Sequence, residues 1–179
     1  MLTGVIVPGL GYGPQAPLLN LANEALADLD ATIETITWAV PDGLIDIGPE
    51  PFVRAHVAAA LHRLGTATPG PKPVIIAKSL GTHAAALAAE RQLPAIWLTP
   101  LLNDHAVAEA ITHNPAPALL VGGTRDSSWI SETAARTGKT VVTVDSANHA
   151  LRPPGSLRAY TDALGAIATA MEQFLSRLS

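Results

Sequence analysis

The sequence predicts an α/β protein, a three-layer α/β/α sandwich on a mainly parallel sheet of about six strands, in one domain spanning residues 1–179. Three observations carry that prediction. Short apolar runs alternate along the chain with longer segments of helical periodicity, which calls for a parallel sheet covered by helices on both faces. The runs themselves, such as Val74-Ile75-Ile76-Ala77 and Ala118-Leu119-Leu120-Val121, are nearly continuous, as strands buried on both faces must be. With 48% hydrophobic and only 15% charged residues, 179 residues suffice for one sizeable core.

Taken in order, Val5-Ile6-Val7 is the first strand and runs into the loop Pro8-Gly9-Leu10-Gly11-Tyr12-Gly13-Pro14. Pro17 to Leu29 is helical, with leucines at 18, 19, 26 and 29. Thr35 to Val40 reads as the second strand and Pro51 to Leu64 as a helix. Thr66 to Pro73, carrying Pro69, Pro71 and Pro73, is a stiff connecting loop. Val74 to Ala77 is the next strand, with helix 80–91 after it. Ala95 to Leu98 is strand and Asp104 to Ile111 helix, with Asp104 a candidate N-cap. Leu119 to Val121 is strand, Ser128 to Arg136 helix, and residues 140–144 the last strand. The C-terminal helix carries Leu157, Tyr160, Leu164, Ile167, Met171, Phe174 and Leu178 in steps of three and four. Such a stripe is usually the face packed on the sheet and less often a dimer seam, so monomer or homodimer is left open.

The chemistry concentrates where strand meets helix. Lys78-Ser79-Leu80-Gly81 follows an apolar run directly, giving Ala77-x-Ser79-x-Gly81 on a strand–turn–helix. The common nucleophile-elbow pattern is G-x-S-x-G, with small residues because the serine sits on a tight turn between strand and helix. Asp126 lies just past the strand ending at Gly123, and His149 just past the strand ending at Val144. Strand C-termini of a parallel sheet share one edge, so serine, acid and histidine can converge there. All three are needed. A serine hydroxyl is a weak nucleophile until histidine takes its proton, and the acid fixes the histidine tautomer. Asp145 is the rival acid, close to His149 in sequence.

From Thr3 to the C-terminus the chain resembles a small α/β-hydrolase-fold serine hydrolase. The resemblance implies a minimal α/β-hydrolase fold, with Ser79 as nucleophile, His149 as general base and Asp126 as the orienting acid. It also implies an oxyanion hole made by the backbone N–H groups of Leu10 and Leu80. Pro8 departs from the family pattern, in which many relatives carry histidine before the glycine. Larger relatives insert a cap domain after the strand that follows the elbow helix, whereas Thr99 to Pro117 has room only for a short helix. A shallow, open site is therefore expected, with Tyr12, Leu101, Leu102 and Trp129 as candidate walls. Leu101 and Leu102 are more often local packing, while Tyr12 and Trp129 adjoin presumed catalytic loops.

Other polar residues have plainer readings. Lys78 points away from the nucleophile at such a turn and is expected to make a local ion pair; substrate-carboxylate recognition is the lesser alternative. His83 is expected to pack within its helix, and Asp104-His105 either shapes the pocket or caps the next helix. His56, His62 and His113 lack metal-ligand spacing, and no metal or cofactor is expected.

Several function classes are disfavoured. The loop Gly9-x-Gly11-x-Gly13 is not a dinucleotide fingerprint, because Pro14 stands where the final glycine belongs, and no G-x-x-x-x-G-K-[ST] occurs. A net charge of −4 gives no reason to expect nucleic acid or an anionic membrane as partner. The absence of cysteine excludes disulfides and thiol catalysis. No stretch reaches transmembrane length and no leader pattern opens the chain, so the cytoplasm is the default expectation. The expected partner is a small-molecule ester or thioester, cleaved through an acyl-enzyme. A lyase, an acyltransferase, or a non-catalytic module binding a ligand or partner are the alternatives on the same fold.

Overall fold

Six strands form one fully parallel sheet in the computed structural model, which describes residues 1–67 and 72–178. They are β1 (Thr3–Val7), β2 (Thr32–Thr35), β3 (Val74–Lys78), β4 (Ala95–Leu98), β5 (Ala118–Gly123) and β6 (Thr140–Val144), in the spatial order β2-β1-β3-β4-β5-β6. The order reverses direction at β1 and β3, so the crevice between their C-terminal ends is the topological switch point where ligands bind such sheets. Of the loop 66–73 expected from the sequence, residues 66 and 67 still belong to the preceding helix and residues 68–71 lie outside the described residues.

Alternation along each strand builds two cores. Ile75 and Ala77 of β3 face one side of the sheet, while Val74 and Ile76 face the other. The first side is covered by α3 (Glu50–Ala67), α4 (Ala85–Arg91), α5 (His105–His113) and α6 (Ser131–Arg136). The second side is covered by α1 (Pro17–Ala27) and α7 (Leu157–Leu175), which also pack against each other. Central strands are buried at every position, whereas the edge strand β6 is partly exposed, so the continuous apolar runs follow from double coverage. The stripe on α7 buries Ile167, Met171 and Phe174 in this second core, with Leu175 next to them, half-buries Leu164 and Leu178, and leaves Leu157 exposed. Its packed face is the sheet-facing one.

The second strand differs from the sequence expectation. β2 is Thr32–Thr35, and residues 36–40 leave the sheet after one more bond, from Ile36 N–H to the Ile6 carbonyl at 2.9 Å. Their register partner would be Pro8, which has no N–H to offer and turns the chain out of β1. The alternating Ile36, Trp38 and Val40 pack instead beside α3, Ile36 buried and the other two half-buried, and Trp38 meets Phe52 with ring centroids 5.3 Å apart. A one-turn helix α2 (Leu44–Ile47) follows, which the sequence did not announce. The helix expected at 128–136 begins only at Ser131. Between β4 and β5 the only helix is α5, with no cap domain. Among the described residues no helix is long and apolar enough to cross a membrane.

Candidate active site

β3 ends at Lys78, and the next residue, Ser79, has φ of +51°. A non-glycine residue in that region carries strain of roughly 1–3 kcal/mol, and it turns the chain sharply into a 3₁₀ segment, Ser79–Ala84, that leads into α4. The helix expected over 80–91 thus starts as a tighter coil. Gly81 explains itself: a Cβ there would sit 2.7 Å from the Pro8 carbonyl oxygen and 2.9 Å from Val7 Cγ1. The elbow and the loop after β1 are in contact, and only glycine lets them approach so closely.

Three loops bring three side chains into a line. His149 Nε2 lies 2.7 Å from Ser79 Oγ, and His149 Nδ1 lies 2.7 Å from Asp126 Oδ2. An ionised carboxylate can only accept, so Nδ1–H donates to Asp126 and the lone pair on Nε2 faces the serine hydroxyl. The aspartate is buried and the histidine half-exposed. Burial alone would push the Asp126 carboxyl up. The hydrogen bonds from His149 and from Ser128 N–H, with the charges of His149 and Lys78, outweigh burial and hold it below its usual value. Asp145 is directed elsewhere, accepting from Thr124 Oγ1 and Ser146 Oγ, each at 3.2 Å. Gly123 lets the histidine loop lie on the acid loop, since a Cβ there would meet the Ala147 carbonyl oxygen at 2.3 Å.

Beside the elbow, the loop 8–14 is closed by a bond from Gly9 N–H to the Tyr12 carbonyl at 3.0 Å, with Gly11 at φ +63°. Leu10 stands at its tip, exposed, with no hydrogen-bond partner for its N–H among the described residues. Tyr12 lies at the foot of this loop, and its hydroxyl oxygen accepts from Leu18 N–H at 3.0 Å. The loop, with Thr37, Trp38 and Val40, lines a groove of about 320 Å³.

The other candidate walls separate. Trp129 is core rather than an open wall: it is buried, its ring covers Gly122, where an added Cβ would come within 1.9 Å of it, and it belongs to the core under α6. Leu102 is likewise buried, while Leu101 is half-buried, its N–H bonded to Thr82 Oγ1 at 3.3 Å. A second groove, about 490 Å³, lies between α5 and α6, and neither groove is lined by any of the three aligned residues. The hydrogen-bonded line, not groove volume, locates the chemistry.

Lys78 departs from expectation. It makes no ion pair among the described residues; it is buried, and its ammonium donates to Thr99 Oγ1 at 2.9 Å and to the His149 carbonyl at 3.0 Å. His83 is buried in the elbow segment, 3.9 Å from Asp104, and burial outweighs Asp104 and Glu50 in lowering its affinity for a proton. Asp104 caps α5, its Oδ1 accepting from Ala106 N–H at 2.9 Å. The described residues include no cluster of histidine and carboxylate groups able to hold a metal ion.

A parallel sheet with a strained serine after its third strand, an acid after the fifth and a histidine after the sixth defines the α/β-hydrolase fold, here in a minimal form without a cap. Solved structures agree on the fold. An esterase from Butyrivibrio proteoclasticus superposes with a TM-score of 0.73 at 13% identity, over 99% of this chain and 89% of the esterase. An α/β serine hydrolase without lid from Xanthomonas campestris gives 0.72 at 15% identity, over 98% and 81%. An α/β-superfamily hydrolase from the same species gives 0.71 at 20% identity, over 99% and 100%. No protein-family model and no curated protein sequence matches the chain.

Proposed function

We propose that this protein is a lidless serine hydrolase cleaving a small carboxylic ester or thioester. The observation that carries this reading is the unbroken line from Asp126 through His149 to Ser79 Oγ, with both contacts at 2.7 Å. Ser79 Oγ attacks the substrate carbonyl carbon as His149 Nε2 takes its proton, and Asp126 stabilises the imidazolium that results. The developing oxyanion is held by the N–H groups of Leu80 and Leu10. The first is free of an intrahelical acceptor because it lies at the start of its helical segment, and the second is unpartnered at its loop tip. Collapse expels the alcohol or thiol, which takes the proton back from His149. The same histidine then activates water to release the acid and regenerate Ser79.

The apolar groove of loop 8–14 and Trp38, on the loop that packs against the elbow at Gly81, offers room for one small acyl or alcohol group. The Butyrivibrio esterase has been solved with ferulic acid bound, a carboxylic acid and so of the product class proposed here. Hydrolysis of p-nitrophenyl esters from acetate to octanoate tests the reading. Turnover lost in Ser79→Ala supports it, with a preference for short chains expected from the groove's size. Equal inactivity of both proteins on all esters and thioesters would favour an acyltransferase, a lyase or a binding module.

A further inference from the structure

The ammonium of Lys78 is an unusual thing to find buried next to a nucleophile. Only about 2% of this residue is exposed, and no carboxylate bonds its charge among the described residues. A buried cation without a bonded counter-ion is costly, so its retention asks for a role.

Its contacts suggest one. Nζ joins Thr99 Oγ1 at the end of β4 to the backbone carbonyl of His149, and it lies 4.8 Å from the centre of the Tyr12 ring, on the loop after β1. One side chain therefore ties together the ends of β3 and β4, the histidine loop and the loop beside the elbow. Thr99 has φ of +45°, a second strained non-glycine residue at a strand end, and its hydroxyl is the acceptor that Lys78 uses. The titratable groups facing this ammonium are Asp126 from the β5 loop, His149 from the β6 loop and Tyr12 from the β1 loop.

We propose that Lys78 is a positioning residue for the base of the triad. Its ammonium pins the backbone of His149 so that Nε2 meets Ser79 Oγ. The proposal rests on the serine-hydrolase reading above. Burial lowers the Lys78 ammonium to about 8, against a smaller opposing effect of Asp126, so it carries charge at neutral pH.

Lys78→Met keeps the apolar stem and removes the charge and the donors. On p-nitrophenyl acetate its kcat should fall about tenfold or more with KM within about twofold, because alignment is lost and binding is not. Rescue is available because the chain has no cysteine of its own. Lys78→Cys, alkylated unfolded with 2-bromoethylamine and refolded, restores an ammonium at the same reach and should regain the rate. If Lys78→Met does not fold, Lys78→Gln replaces it. A neutral variant with wild-type kcat overturns the proposal, and so does an alkylated protein no faster than the neutral one. Should wild type hydrolyse nothing, the hydrolase reading fails first. The NMR resonances of the His149 ring in wild type and variant then decide, unmoved chemical shifts counting against Lys78.

Discussion

His149 donates to Asp126 across 23 residues of sequence and ignores Asp145, although Asp145 stands only four positions before it. Proximity along the chain does not select the partner; the loop after β5 does, because it delivers a buried carboxylate already oriented by Ser128 N–H.

Exchanging each acid for its amide separates the two. Asp126→Asn can donate to Nδ1 and so favours the wrong tautomer, and kcat should fall by about a thousandfold or more. Asp145→Asn should change ester hydrolysis by less than about twofold, since its contacts are exposed ones to Thr124 and Ser146. Initial rates on one ester check both. A crippled Asp145→Asn beside an active Asp126→Asn would reverse the assignment.

Gly81→Ala places a methyl group 2.7 Å from the Pro8 carbonyl oxygen and must push the loop 8–14 off the elbow. Steady-state kinetics should show kcat reduced by about tenfold or more, through displacement of the Leu10 N–H from the oxyanion. Far-ultraviolet circular dichroism should keep its native shape.

Trp129→Ala opens a cavity above Gly122 in the core under α6. Urea unfolding should register a loss of about 3–5 kcal/mol. A pocket wall in contact with substrate would instead raise KM with little change in stability.

Lys78 also predicts a pH-dependent stability. Its folded value near 8 lies below the ordinary lysine value of 10.5, so between those pH values the unfolded chain binds a proton that the folded chain has released. Folding therefore gains as pH rises through that window. Relative to Lys78→Met, wild-type stability should be flat below pH 8 and climb by roughly 3 kcal/mol towards pH 10.5. Chemical denaturation at several pH values checks the slope.

The parts of this molecule that sequence reveals are those set by local pattern. Buried strands read as apolar runs, and the elbow reads as a serine between alanine and glycine because the turn at φ +51° tolerates little else nearby. What it conceals depends on partners far along the chain. The apolar alternation of Ile36, Trp38 and Val40 has the period of a strand, yet Pro8 across the sheet ends the ladder there. Lys78 looks like a surface lysine until Thr99 and His149, 21 and 71 residues away, close over it. The place of Trp129 was half legible: paired glycines inside a strand signal close approach, and Gly122 is where the indole lies.

The central claim is that His149 activates Ser79, and the most direct measurement is covalent labelling by a fluorophosphonate probe with the modified residue mapped by mass spectrometry. Wild type should carry one adduct, on Ser79, and His149→Ala should label at least about a hundredfold more slowly. A wild-type protein that stays unlabelled, or carries its adduct on another serine, would contradict it.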